Sequence, residues 1–179
     1  MEWNAFSLEL ELTSALHCGD MPIGFVARTF PYVPCHIPFF AMVPAAVRTL
    51  NMPDERPSYA AVEKLFEINL RCTPLYILAD GAPLFPWDGE SRQKLEYAYL
   101  SSSYGVSLDN KRRSARDGCL YETEVILERG RGCMEPTRLS GALFIRPGKN
   151  EKDGLSLAAD GAITWNGKEA NNTVASSTT

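Results

Sequence analysis

The sequence predicts an α+β fold: a ferredoxin-like (RRM-type) antiparallel sheet, helices on one of its faces, and a protruding β-hairpin. Three observations predict it. Phe6–Thr13 alternates apolar and polar residues strictly, the signature of a half-buried strand. Two helix-like stretches follow before the next strand. Residues 106–126 then read as two extended arms around a basic, small-residue turn that returns through Gly118. Strand, helix, further strands and helix, then a long hairpin and more strands, is the order of a sheet with helices laid on one side.

The elements justify themselves in turn. In the first strand Phe6, Leu8, Leu10 and Leu12 are expected on the core face. Gly19 marks a turn after it, and a loop holding Gly24, Pro31 and Pro34 leads into an apolar helix over residues 37–50. Pro38 suits a first helical turn, whereas Pro44 either kinks this helix or marks its true start. A linker over residues 53–57 precedes Ser58, a good N-cap for a helix over 59–70 with Val62, Leu65, Phe66 and Asn69/Leu70 as its apolar stripe. Residues 74–78 read as a buried strand, followed by a Gly/Pro-rich turn and a short strand at Leu84–Phe85. A weak helix is expected over 89–97, hairpin arms over 99–109 and 120–127, and a strand over 138–145. Residues 1–150 are thus expected as the folded domain. Residues 151–179 are expected as a weakly structured C-terminal extension with at most one short strand pair.

Charge is the sharpest local signal. The net charge is −4 over 179 residues, yet four of the six positions from Lys111 to Arg116 are cationic. A positive tip on a mildly acidic chain points to a partner with regularly placed negative charge, and a nucleic-acid backbone comes first. A merely solvated hairpin tip is the alternative. The net acidity excludes a protein that coats DNA with its whole surface. No run of about 18 apolar residues and no signal-peptide pattern occurs, so a cytoplasmic protein without membrane contact is expected.

Five cysteines, Cys18, Cys35, Cys72, Cys119 and Cys133, are scattered without a Cys-x-x-Cys pair. The two histidines make the doublets His17-Cys18 and Cys35-His36, but adjacent residues of an extended strand point to opposite faces and rarely share a metal. Reduced thiols, no metal and no cofactor are the expectation. No Ser-His-Asp pattern or phosphate-binding glycine loop is present.

Three segments in order carry a resemblance to a known family. Ser14-Ala-Leu-His-Cys-Gly19 is similar to a Leu-His-x-Gly motif that closes a first strand. Pro31-Tyr-Val-Pro34 resembles a Tyr-Ile-Pro-Gly-Ser entry to a first helix, with Cys35 where that motif has glycine. Val106–Val125 resembles an Ile-Asp-Arg-x-Thr-x-x-Ala-x-x-Gly-x-Leu-Tyr-x-x-Glu hairpin, and Leu139-Ser-Gly-Ala-Leu-Phe144 resembles the strand after it. The family is the RAMP superfamily, the ferredoxin-like subunits of CRISPR effector complexes, type III-like in this case. The resemblance spans residues 6 to about 146, and a truncated or split member would account for the C-terminus.

The resemblance implies recognition rather than chemistry: a non-catalytic RNA-binding subunit of an antiviral ribonucleoprotein, holding guide RNA. Its partners would be guide RNA, the other effector subunits and target RNA. Carried over by position, Lys111, Arg112, Arg113 and Arg116 would contact phosphates. Backbone N–H groups at His36 and Ile37 would do the same from the helix start. Tyr32 and His36 would contact unpaired bases. An RNA-cleaving backbone subunit using Asp20 with a divalent metal is the alternative, and an unrelated protein-interaction domain a weaker one. A single carboxylate in that loop is a poor metal site, so a non-enzyme is expected.

Overall fold

The computed structural model describes residues 2–50, 57–108 and 115–169, and only the backbone of 107–108, 115–120 and 168–169. Within them the protein is α+β. In chain order the elements are β1 (Asn4–Glu11), β2 (Val26–Ala27), β3 (Tyr32–Val33), α1 (His36–Thr49) and α2 (Tyr59–Asn69). Then come β4 (Leu70–Cys72), β5 (Leu75–Ala79), β6 (Ala82–Pro83), α3 (Gly89–Lys94) and a π-helical turn over Leu95–Tyr99. The remainder is strand: β7 (Leu100–Leu108), β8 (Ala115–Ile126), β9 (Arg138–Ile145), β10 (Gly148–Asn150), β11 (Leu155–Leu157), β12 (Ile163–Trp165) and β13 (Lys168–Glu169). The chain divides into two compact units, Met1–Leu8 with Cys35–Pro74 and Gly141–Thr179, and Glu9–Pro34 with Leu75–Ser140.

The first unit is built on its two longer helices. Ser58 sits in extended conformation and its hydroxyl accepts from the Ala61 N–H at 3.1 Å, so α2 starts where the sequence predicts. Ala61, Val62, Leu65, Phe66 and Asn69 are its buried stripe. α1 continues through Pro44, which therefore does not mark its start, and buries Pro38, Val43, Ala46 and Val47. These faces meet Leu143 and Ile145 of β9 and Leu155, Leu157 and Ile163 of β11 and β12 in one core, with Phe6 and Leu8 packed against it. Each fully buried Leu, Ile or Phe contributes about 1.5–3 kcal/mol. The C-terminal strands form their own antiparallel sheet in the order β10-β11-β12-β13, which adds two strands to the single pair expected there. In this unit β9 pairs with β4 in the register Leu70↔Ile145 to Cys72↔Leu143.

In the second unit β5 pairs antiparallel with β9 (Tyr76↔Ser140) and with β3 (Tyr32↔Tyr76). β6 returns on β5 through Asp80-Gly81, both at positive φ (54° and 79°), the two-residue turn that suits a hairpin. Leu75, Ile77, Leu95, Ile126 and Leu139 are fully buried. Leu10 departs from expectation at 41 % exposed, because only Phe6 and Leu8 of β1 reach a core. β8 begins at Ala115 rather than near residue 120, since a register shift between Val106 and Leu108 lets Ala115 pair with Leu108.

Candidate nucleic-acid interface

The hairpin of β7 and β8 is the longest strand pairing, in register from Leu100↔Ile126 to Val106↔Leu120. Its base is held firmly. Leu16 and Ile126 exchange backbone hydrogen bonds at 2.9 and 2.7 Å, and β2 lies parallel to β8 at Val26↔Glu122. Glu124 is the fastening point: its carbonyl sits 2.7 Å from His17 Nδ1, and its carboxylate accepts from the Thr29 N–H at 3.1 Å with Arg28 Nε 3.7 Å away. Thr29 is buried, and its hydroxyl accepts from the Cys18 N–H at 2.8 Å. The Leu-His-Cys-Gly segment therefore acts as a brace for the hairpin base, and His17 is a hydrogen-bonded strap within it. Further out, Tyr104, Val106 and Tyr121 are exposed. Lys111, Arg112 and Arg113 lie outside the described residues. So does the side chain of Arg116, whose backbone is in β8.

Tyr32 stands in an aromatic set that the sequence reading missed. Its ring lies 5.3 Å from Phe30 and 5.8 Å from Tyr76. Tyr76 in turn meets Phe85 at 5.0 Å and Trp87 at 5.5 Å, both edge-on, and Phe85 and Trp87 stack at 5.2 Å and 19°. Four of the rings are half-buried and Trp87 is 71 % exposed. The arrangement follows from strand alternation: Leu75, Ile77 and Ala79 point to the core, so Tyr76 and its partner Tyr32 take the other face. The apolar run 74–78 hid this, because a fully buried strand and an aromatic-faced one look alike until burial is known.

His36 and Ile37 belong to the other unit, at the start of α1. Both are exposed, and the N-cap Cys35 offers no side-chain hydrogen bond to the first turn. Pro38 in that turn is buried and carries no N–H.

Asp20 is exposed, and its own N–H donates to the Arg28 carbonyl at 2.9 Å, which makes it part of the turn beside the Gly19↔Thr29 bridge. No group of three or more His, Cys, Asp or Glu side chains is placed to hold a metal ion among the described residues. Burial pushes the Cys18 thiol up, and burial together with nearby Cys35 takes Cys72 to about 11. Lys94 donates to Asp80 at 2.6 Å and holds that carboxyl below its ordinary value. No helix among the described residues is long and apolar enough to cross a membrane.

No family model matches the chain, and no curated protein does. Solved structures do match, among them a chain in the cryo-EM structure of the type III-B Cmr-beta complex bound to cognate target RNA and AMPPnP. The identity is 11 % and the TM-score 0.42, over 93 % of this chain and 60 % of that one. The chain thus spans less than two thirds of that chain's length.

Proposed function

We propose that the protein is a non-catalytic RNA-binding subunit of a CRISPR ribonucleoprotein, a RAMP-like member of type III character that holds guide RNA in the cytoplasm. Its folded domain would be of the ferredoxin-like kind and cover residues 1–150, with 151–179 as an extension. The observation that carries the reading is the aromatic set of Phe30, Tyr32, Tyr76, Phe85 and Trp87 on the side of β5 turned away from the core. Half-exposed rings on a sheet are the surface on which unpaired bases stack, at about 1–3 kcal/mol per base. The motif order along the chain supports the same reading. So does the cationic run, which lies in and beside the segment joining β7 to β8. In this reading Tyr32 stacks on a base, while Lys111, Arg112, Arg113 and Arg116 hold phosphates. His36 and Ile37 present the start of α1 to the same backbone.

Binding of a short labelled single-stranded RNA, followed by fluorescence anisotropy over a salt series, tests it. Changing Trp87 or Tyr32 to Ala is expected to weaken binding about fivefold to a hundredfold with the salt slope unchanged. Changing the four hairpin cations to Ala is expected to flatten the slope. Parent-like binding by both kinds of variant sinks the proposal.

A further inference from the structure

The first unit carries a second positive surface, far in sequence from the hairpin. Lys64 of α2 and Arg146, Lys149 and Lys152 of the segment around β10 line one groove of about 630 Å³, with Glu151 as the only acid in its wall. The groove is built, not incidental. The Asn69 side chain, donating to the Leu65 carbonyl at 2.9 Å, occupies the space where Gly148 lacks a Cβ. The Arg146 N–H donates to the Asn69 carbonyl at 2.8 Å. These contacts fix the 146–152 segment against the end of α2. Arg146 is itself held, its Nη2 donating to the Ile68 carbonyl at 2.9 Å and its guanidinium lying 5.0 Å from the centre of the Trp3 ring, where Arg71 approaches to 5.7 Å.

The cations of this groove stand without ion-pair partners among the described residues. Arg28, Arg92, Lys94 and Arg138 each have a carboxylate partner, and all four pairs fall in the second unit. Among the described residues Lys64, Arg146, Lys149 and Lys152 have none, and neither do Arg48, Arg71, Arg129 and Arg131 outside the groove. Four cations converging on one groove against the single carboxylate of Glu151, in a chain of net charge −4, define a site for a polyanion. The groove offers compact ammonium charges of the kind that contact phosphates.

We infer that this groove binds the sugar-phosphate backbone of single-stranded RNA, a second contact distinct from the aromatic set and from the hairpin. The identity of the polyanion rests on the RNA-binding reading above. A labelled oligouridine and an abasic oligomer of the same length separate the contributions, because the abasic chain keeps the phosphates and lacks the rings that stack. The variant Lys64→Glu/Lys149→Glu/Lys152→Glu leaves the structural Arg146 in place, and Lys→Arg at the same three positions is its control. The glutamate variant is expected to lose about tenfold or more in affinity for both oligomers and to lower the salt slope by about 2 (roughly 0.7 per phosphate). The arginine variant is expected to bind like the parent, which shows that the fold is intact.

If the glutamate variant binds both oligomers as the parent does, while Trp87→Ala loses oligouridine, the groove inference is overturned and the RNA-binding reading stands. If the glutamate variant loses both oligomers while the Trp87 and hairpin variants bind normally, the groove stands and the aromatic and hairpin assignments fall. A parent that binds neither oligomer overturns both.

Discussion

The ring of Tyr121 covers Gly105, the residue directly opposite it across β7 and β8. A Cβ at position 105 would run into the far end of that ring. Glycine in a strand offers nothing to pack, and an aromatic ring laid over it from the neighbouring strand restores the missing contact. Both residues lie on the hairpin stem, where Tyr121 is 53 % exposed.

Removing the ring should therefore loosen the stem. Tyr121→Ala is expected to cost about 0.5–1 kcal/mol, seen as faster amide exchange along residues 103–106. Gly105→Ala should cost less than Tyr121→Ala, because the exposed ring can swing into solvent. Equal exchange rates in parent and Tyr121→Ala would contradict the role given to the ring.

Thr29 supports the same hairpin from below. Its hydroxyl accepts from the Cys18 N–H and lies 3.2 Å from the Cys18 and Phe30 carbonyls, all within a buried site. Thr29→Val keeps the shape and strands that donor, an expected loss of about 1–3 kcal/mol in urea unfolding. Thr29→Ser keeps the hydrogen bonds and should lose clearly less. A valine variant as stable as the parent would show that the brace is unimportant.

The thiols should separate by pH. Cys35 and Cys133 are exposed, whereas burial raises Cys18, and burial with Cys35 nearby raises Cys72 to about 11. Only the thiolate reacts with iodoacetamide, so near pH 8 Cys35 and Cys133 are expected to label first, as read by peptide mass spectrometry. The sign for stability follows from the raised value. The folded state keeps the Cys72 proton that the unfolded chain gives up, so this contribution is complete below pH 9 and is lost as pH rises toward 11. Early labelling of Cys72 in the folded protein would contradict its burial.

Asp20 is expected to be dispensable for chemistry. Its place in the turn beside Gly19↔Thr29, with no cluster of acids around it among the described residues, suits a turn residue. In the proposed ribonucleoprotein, Asp20→Ala should leave target-RNA cleavage unchanged. A band missing from the fragment ladder of the variant, dependent on Mg²⁺ or Mn²⁺, would make the protein a nuclease subunit.

The parts of the fold fixed by local chemistry were legible in the sequence. Ser58 caps α2 and the stripe from Val62 to Asn69 is its buried face, whereas the short strand expected at Leu84–Phe85 lies at Ala82–Pro83, because the tight Asp80-Gly81 turn brings the chain back sooner. Of the two readings of Pro44, a helix start is excluded, because α1 begins at His36 and carries Val43, Ala46 and Val47 on its buried face. The site was legible only through Tyr32. Its partners Tyr76, Phe85 and Trp87 become neighbours by strand pairing, which a single sequence does not display. Lys64 and Lys149 lie 85 positions apart in sequence, and the close approach of Gly148 to Asn69 brings their segments together. The cationic run at 111–113 remains a sequence observation, outside the described residues.

The core around Phe66 has a consequence for synthesis. Val62, Leu65 and Phe66 are laid down early, but Leu155, Leu157 and Ile163, which help to bury them, leave the ribosome almost a hundred residues later. In the interval the nascent chain holds an apolar helix face without its lid, while the whole stretch Leu75–Ser140 of the second unit is already available to fold. At ordinary elongation rates of about 5–20 residues per second the exposure lasts some seconds, long enough for a chaperone to bind or for two chains on one message to associate. Chains released before residue 163 would lack strands that help to bury this face.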